Sequence, residues 1–177
     1  FFPTKNITTT EGGMLTTENE KIYSYVKKLI AHGIDKNVKR KFWHRVAVLP
    51  GHNFRMPNHL AAIGYSQLKR IEKFNRARNK IANLYNSELS KPFYKINIPY
   101  IPKGFTHSYQ MYTITVDARI RDKLLYFLKK NNIEASAHFD PPLHSQKYLK
   151  KYYKKKLPVT EKLSKEIITL PIFPVMT

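Results

Sequence analysis

The chain contains no cysteine in its 177 residues. That excludes a disulfide scaffold, a thiolate zinc centre and a cysteine nucleophile, and it accords with a reducing, cytoplasmic setting. No stretch approaches the ~18 uninterrupted apolar residues of a membrane span, so no membrane partner is expected. Acid is scarce: 12 Asp+Glu stand against 32 Lys+Arg, a formal charge of +20. Those acids form no evident carboxylate dyad. HExxH, an EF-hand loop, GxxxxGK[ST] and GxGxxG are all missing. The 7 histidines are scattered. His138 and His144 stand too far apart for a zinc pair on one helical face, and no metal is expected. Phe1-Phe2-Pro3 shows neither an initiator Met nor a signal-peptide layout. With an ending at Met176-Thr177, the chain reads as a piece of a longer protein.

What is present points to a folded chain. A hydrophobic fraction of 42%, with 13% aromatic residues, is too rich for a disordered tail, and the length fits one domain or two small ones. The excess positive charge attracts polyanions whatever the fold. Its make-up argues against base recognition, because 24 Lys and only 8 Arg supply it, and Arg carries the bidentate fork. The densest run, Lys150 to Lys156, interleaves Tyr152 and Tyr153. It reads either as a solvated helix end or loop, or as a stacking surface for bases. A basic nucleic-acid-binding module without catalysis is therefore the alternative reading, with no nucleic acid expected as partner in the main one.

Local patterns give an outline. Thr8-Thr9-Thr10 and Met14-Leu15-Thr16 suggest extended pieces around a turn at Glu11-Gly12-Gly13. Thr17 and Glu20 have capping-box spacing for a helix with Ile22, Val26, Leu29 and Ile30 on its apolar face, stopped at Gly33. Residues 35–45 read as a basic loop, and Val46 to Leu49 as a short buried strand before Pro50-Gly51. From a cap at Asn58, apolar residues keep a helical face to about Leu89, as one helix or two in succession. Pro92, Pro99 and Pro102 mark an irregular connection. Tyr112, Ile114 and Val116 alternate as a strand, Ile120 to Leu128 form an amphipathic helix, and Ile133 to Phe139 read as a second strand, giving a strand–helix–strand unit over 108–139. A further helix is expected near 160–167. The class is α/β or α+β.

Three stretches carry more information. Phe1-Phe2-Pro3-Thr4-Lys5 through Thr17 resembles the cofactor-lysine segment of the DegT/DnrJ/StrS-type nucleotide-sugar aminotransferases. Gly51-His52-Asn53-Phe54-Arg55 through Gly64 and Gln67-Leu68 resembles their Gly-Tyr-Asn-aromatic-Arg segment and the helix after it. Ile133 to His144, with Leu170-Pro171-Ile172-Phe173-Pro174, resembles their His-aromatic…Pro-Leu-His segment and Leu-Pro…Pro ending. The three occur in the family's order and span nearly the whole chain.

The resemblance implies the C-terminal portion of a fold-type-I pyridoxal 5′-phosphate enzyme. Residues 1–72 would be the end of the large cofactor-binding domain, and 73–177 a small α+β domain. It implies amino transfer, with glutamate as donor, to a keto-sugar carried on a nucleotide, in surface polysaccharide or glycan precursor synthesis, by a homodimer with shared active sites. Lys5 is then the catalytic lysine. Such an enzyme needs one amine that condenses with the cofactor aldehyde and later moves a proton as a free base. A related dehydratase branch carries His at this position, so Lys5 favours transamination. By the same resemblance Asn53 reaches the cofactor phosphate of the neighbouring subunit; as a residue after Pro50-Gly51 it also suits a simple turn. Arg55 either holds a phosphate of the substrate or pairs locally. His138 and His144 flank Asp140-Pro141-Pro142, a rigid loop by the sugar-nucleotide site, or each meets a buried carbonyl. His52 stands where the family has tyrosine.

Overall fold

The computed structural model describes residues 1–153 and 155–176; Lys154 of the basic run and Thr177 lie outside the described residues. The chain divides into two compact units, Phe1–Lys69 and Arg70–Thr177.

In the first unit, α1 covers Glu20–Leu29 and α2 covers Asn58–Leu68. The expected capping box gives way to a nearer cap. Asn19 Oδ1 accepts from Lys21 N at 3.0 Å and Ile22 N at 3.3 Å, while Thr17 Oγ1 accepts from Asn19 N. An Asn at the N-cap satisfies two orphan amides by itself and leaves Glu20 to act only through the helix dipole. Helix α2 starts one residue earlier than its expected cap: Pro57 is the N-cap and Asn58 the first helical residue, with no side-chain cap bond. Val46–Leu49 is not a buried strand. It contributes a single bridge, Ile34 to Ala47, and Val48 is 47% exposed. The extended pieces expected within residues 8–16 form no strand either. Thr8 and Thr9 there are held instead by side chains and backbone of neighbouring segments.

The second unit begins with α3, Ile71–Leu89, separated from α2 by Lys69 and Arg70. The long helical pattern is thus two helices. Strand β1, Tyr112–Thr115, leads into α4, Ala118–Lys130, and α5, Pro158–Glu166, runs directly into β2, Ile167–Leu170. Asp117 caps α4 by accepting from Arg119 N at 2.8 Å. The strand–helix–strand expectation needs correction. Residues 133–139 make only one bridge, Ser136 to Thr169, and the partner of β1 is β2, antiparallel in the register Tyr112↔Leu170 to Thr115↔Ile167. Asn97 bridges Thr115 on the other edge. Four extended segments therefore lie side by side, of which two are strands.

Alternation buries Tyr112, Ile114 and Val116 on one face of β1, where they join Ala82, Tyr109, Ile168 and Ile172 in the core. Helix α3 is tied to that core by polar groups as well. The buried Arg78 guanidinium donates to Tyr109 O at 3.2 Å and Ile172 O at 2.7 Å. Tyr85 Oη donates to Pro171 O, and Tyr112 Oη donates to Asn86 Oδ1 at 2.6 Å. Burial pushes the Tyr112 phenol up to about 12.

Candidate active site

Lys5 lies in the first unit on a loop of turns, its own amide donating to Phe2 O at 3.0 Å. Its side chain is exposed, and its amine makes no hydrogen bond or ion pair with the described residues. The loop itself is fixed a few residues on. Thr8 N donates to Gln67 Oε1 at 3.1 Å and Gln67 Nε2 donates back to Thr8 O at 2.7 Å, so one side chain of α2 satisfies both backbone groups of Thr8. Thr9, 2% exposed, is packed so near α2 that a Cβ on Gly64 would stand 2.7 Å from its Cγ2. Only glycine admits that approach. Met56 meets the same loop at Gly12, its Cε 2.8 Å from where a Cβ would be. The segment with Lys5 and the segment with Asn53 and Arg55 are thus brought together at Gly12 and Met56.

Asn53 is held by the end of α1. His52 N donates to Leu29 O, His32 N to His52 O and Phe54 N to Ile30 O, at 2.7, 2.9 and 3.0 Å. Asn53 itself bridges Ala31. Two glycines make the approach possible. A Cβ on Gly33 would lie 1.8 Å from Leu49 O, and one on Gly51 would lie 1.9 Å from Gly33 N. Arg55 Nε donates to Asn53 Oδ1 at 3.3 Å. That bond orients the amide so that its NH₂, which has no partner among the described residues, is turned outward as a donor. Arg55 pairs locally with Asn53, and its side chain remains exposed.

Beside Arg55 opens a cleft of about 910 Å³, bounded by α1 and the basic loop. Lys27, Lys28, Arg40 and Arg45 line it with Arg55 and the Trp43 ring. Of its acids, Asp35 is engaged by Lys28 at 2.9 Å, and a bond from Asn37 N, with Lys28 beside it, holds that carboxyl below the usual range. The cleft is net cationic with an aromatic wall, a signal that the sequence carried only as a basic, aperiodic stretch.

His138 and His144 lie in the second unit. His138 is half-buried, its Nδ1 3.1 Å from both Ser136 Oγ and Thr169 Oγ1. His144, on a short 3₁₀ turn, places Nε2 3.3 Å from Glu161 Oε1 and its ring edge-on to Tyr153. Glu161 also accepts from Leu157 N, and that bond, with His144 second, lowers its carboxyl. Neither histidine meets a buried carbonyl among the described residues. Arg121 and Asp140, which sequence reading passed over, form an ion pair between α4 and this loop, with Nη2 2.5 Å from Oδ2. No periodicity or spacing marks such a pair.

The first unit thus presents an unengaged lysine on a pinned loop and an Asn–Arg pair, and the second a small sheet flanked by helices. The match to known proteins is specific. The family model of the DegT/DnrJ/EryC1/StrS aminotransferase family covers residues 1–177, and the chain belongs to that family. Uncharacterized protein MJ1066 of Methanocaldococcus jannaschii is 36% identical over 189 residues, which take in 100% of this chain and 48% of that protein. Among solved structures, the aminotransferase TlmJ of Streptoalloteichus hindustanus is 26% identical with a TM-score of 0.84, over 96% of this chain and 44% of its own. NtdA of Bacillus subtilis, solved with its bound cofactor PMP, is 26% identical with a TM-score of 0.79, over 92% of this chain and 37% of its own. The chain spans about half the length of the curated relative it matches. Pyridoxal 5′-phosphate is the cofactor that goes with this family.

Proposed function

We propose that this chain is the C-terminal part of an enzyme that transfers an amino group, from glutamate, to a keto-sugar carried on a nucleoside diphosphate. Residues 1–72 complete its large domain and 73–177 form its small domain. The observation that carries the reading is Lys5: exposed, unengaged, and held on a loop clamped to α2, in a chain matched from end to end by an aminotransferase family.

The donor set fits pyridoxal phosphate: a free amine for its aldehyde carbon, and an outward amide N–H for its phosphate. Lys5 would hold the first, and Asn53, across a homodimer interface, the second. When bound, the cofactor supplies an electron sink for the substrate carbon that gains or loses nitrogen. Lys5 Nζ, free as an amine, would be the base that moves the proton at that carbon. Thr9 and Gln67 keep the lysine loop from drifting during this exchange. Arg55 and the cationic cleft meet the diphosphate, and Trp43 offers a ring face to a base. The working place is the cytoplasm, and the product feeds surface polysaccharide or glycan precursors.

Borohydride treatment of the full-length enzyme tests the assignment. The expected result is a pyridoxyl group fixed on the peptide containing Lys5. Labelling at any other lysine would overturn it.

A further inference from the structure

Residues 141–160 of the second unit contain 6 lysines and no acid. Five of these lysines, Lys147, Lys150, Lys151, Lys155 and Lys156, are described, and all five are exposed. None of the five has an acidic partner among the described residues. The acids that bound the segment are both engaged: Asp140 by Arg121 at 2.5 Å, and Glu161 by His144 at 3.3 Å and Leu157 N at 3.0 Å. The positive charge is therefore left facing solvent.

The segment is a folded arc. Gln146 Nε2 donates to Pro141 O at 3.0 Å, Lys150 N to Gln146 O at 2.9 Å, and Tyr152 N and Tyr153 N to Leu149 O at 2.9 and 3.1 Å. The contact of His144 with Glu161 closes it, joining its start to α5 across 17 positions. Leu149 is half-buried inside the arc. Leu143, 72% exposed, stands at one end, and Val159 is exposed at the other in the first turn of α5. Between them Tyr148 and Tyr152 are 67% and 66% exposed.

Those two rings make a poor platform for bases. Lys151 Nζ lies 4.8 Å from each ring centroid and takes one face of each, and the ring planes cross at 65°, so no base lies flat on both. The charge is ammonium throughout, with no guanidinium in the segment. Compact, strongly hydrated point charges suit attraction to a charged plane better than forked recognition of one phosphate. Clustered lysines, tyrosines and exposed aliphatic side chains are together what rests at a lipid headgroup layer.

We propose that the arc 143–159 docks on the surface of an anionic membrane, its lysines meeting phosphate headgroups and Tyr148, Tyr152 and Leu143 seated at the interface. Among the described residues no helix is long and apolar enough to cross a membrane. Docking on the surface requires none. The proposal stands apart from which sugar or nucleotide the enzyme handles.

Co-sedimentation of the full-length enzyme with vesicles tests it. The enzyme should pellet with mixed phosphatidylglycerol and phosphatidylcholine vesicles at about 0.1 M salt, stay in solution with phosphatidylcholine alone, and be released at about 1 M salt. Lys150→Ser with Lys155→Ser should weaken the binding by about 25-fold, about fivefold for each ammonium lost, with transamination in solution unchanged. Lys123→Ser with Lys129→Ser removes the same charge from the exposed side of α4 and should cost no more than about fivefold. Tyr148→Ala with Tyr152→Ala should also weaken binding, leaving its dependence on salt as it was. Failure to bind the anionic vesicles, equal binding to phosphatidylcholine alone, or binding untouched by either pair of changes in the arc would overturn the proposal. So would an equal loss from the α4 pair, which would reduce the effect to net charge. Oligothymidylate bound more tightly than the vesicles, through the same two lysines, would assign the arc to nucleic acid and overturn it as well.

Discussion

Lys5 and Lys28 carry the same amine in opposite circumstances. Lys28 is committed to Asp35 at 2.9 Å, whereas Lys5 touches no acid among the described residues. An amine that must bond to carbon and later pick up a proton is useful only if no carboxylate holds it. In the full-length enzyme Lys5→Ala is expected to lower transamination by about 10⁴ or more with the melting temperature unchanged, as measured by coupled assay and thermal melt. Residual activity within tenfold of wild type would place the chemistry elsewhere. Asp117 carries a different lesson. The side-chain bond from Arg119, joined by the Arg119 amide, depresses its carboxyl to about 2 from an ordinary 3.8. A depressed acid stabilises the fold at pH above its unfolded value and loses that contribution as pH falls toward its folded one. The acid limb of the melting profile between pH 4 and 2 should therefore flatten in Asp117→Asn relative to wild type.

At the scale of elements, Gln67 is the clamp on which the lysine loop depends. Gln67→Ala leaves two backbone groups of a half-buried threonine without partners, a cost of about 1–3 kcal/mol. The expected signature is increased proteolytic cutting within residues 1–13 and a fall in turnover, with α2 itself intact by circular dichroism. Gln67 was legible in the sequence as part of a recurring segment, but its partner was not, since 59 positions separate it from Thr8. The same distinction runs through the fold. The helices over 20–29 and 118–130 and strand β1 show in local periodicity, because one face of each is apolar and the other is not. Ile133–Phe139 looked like a strand because Ile, Ala and Phe alternate with polar residues. The sequence marks a helix near 160–167 and no strand after it, whereas in the fold α5 runs into β2 without a break. Which of two short segments wins the edge of β1 is decided by side chains far away in sequence. Here Ile168 reaches 0% exposure and Ile133 stays at 40%. The family resemblance points to Lys5, Asn53, Arg55 and the two histidines as candidates; it does not point to the Arg121–Asp140 pair, which only folding brings together.

Across the whole molecule burial is uneven. The apolar core belongs to the second unit, while α1 and α2 of the first bury none of their residues and leave Ile22 46% and Ile63 45% exposed. Exposed apolar faces of this kind mark surfaces suited to contact with other protein. If Asn53 serves the partner's cofactor, Lys5→Ala and Asn53→Ala should complement. Mixed dimers carry one doubly damaged site and one intact site. Random exchange makes half of all dimers mixed, so about a quarter of wild-type activity should return from two crippled parents. No recovery despite demonstrated exchange would assign Asn53 to its own subunit's site.

The pairing of β1 with β2 also has a consequence during synthesis. Leu170 lies 58 positions after Tyr112. At the usual elongation speed of about 5–20 residues per second, Tyr112, Ile114 and Val116 wait roughly 3–12 s on the ribosome before their partner strand exists. For that interval the nascent chain presents a bare, β-branched edge to every neighbour on the same polysome. Rare codons placed between residues 116 and 167 would lengthen the wait and should send more of the product into inclusion bodies, at an unchanged protein sequence.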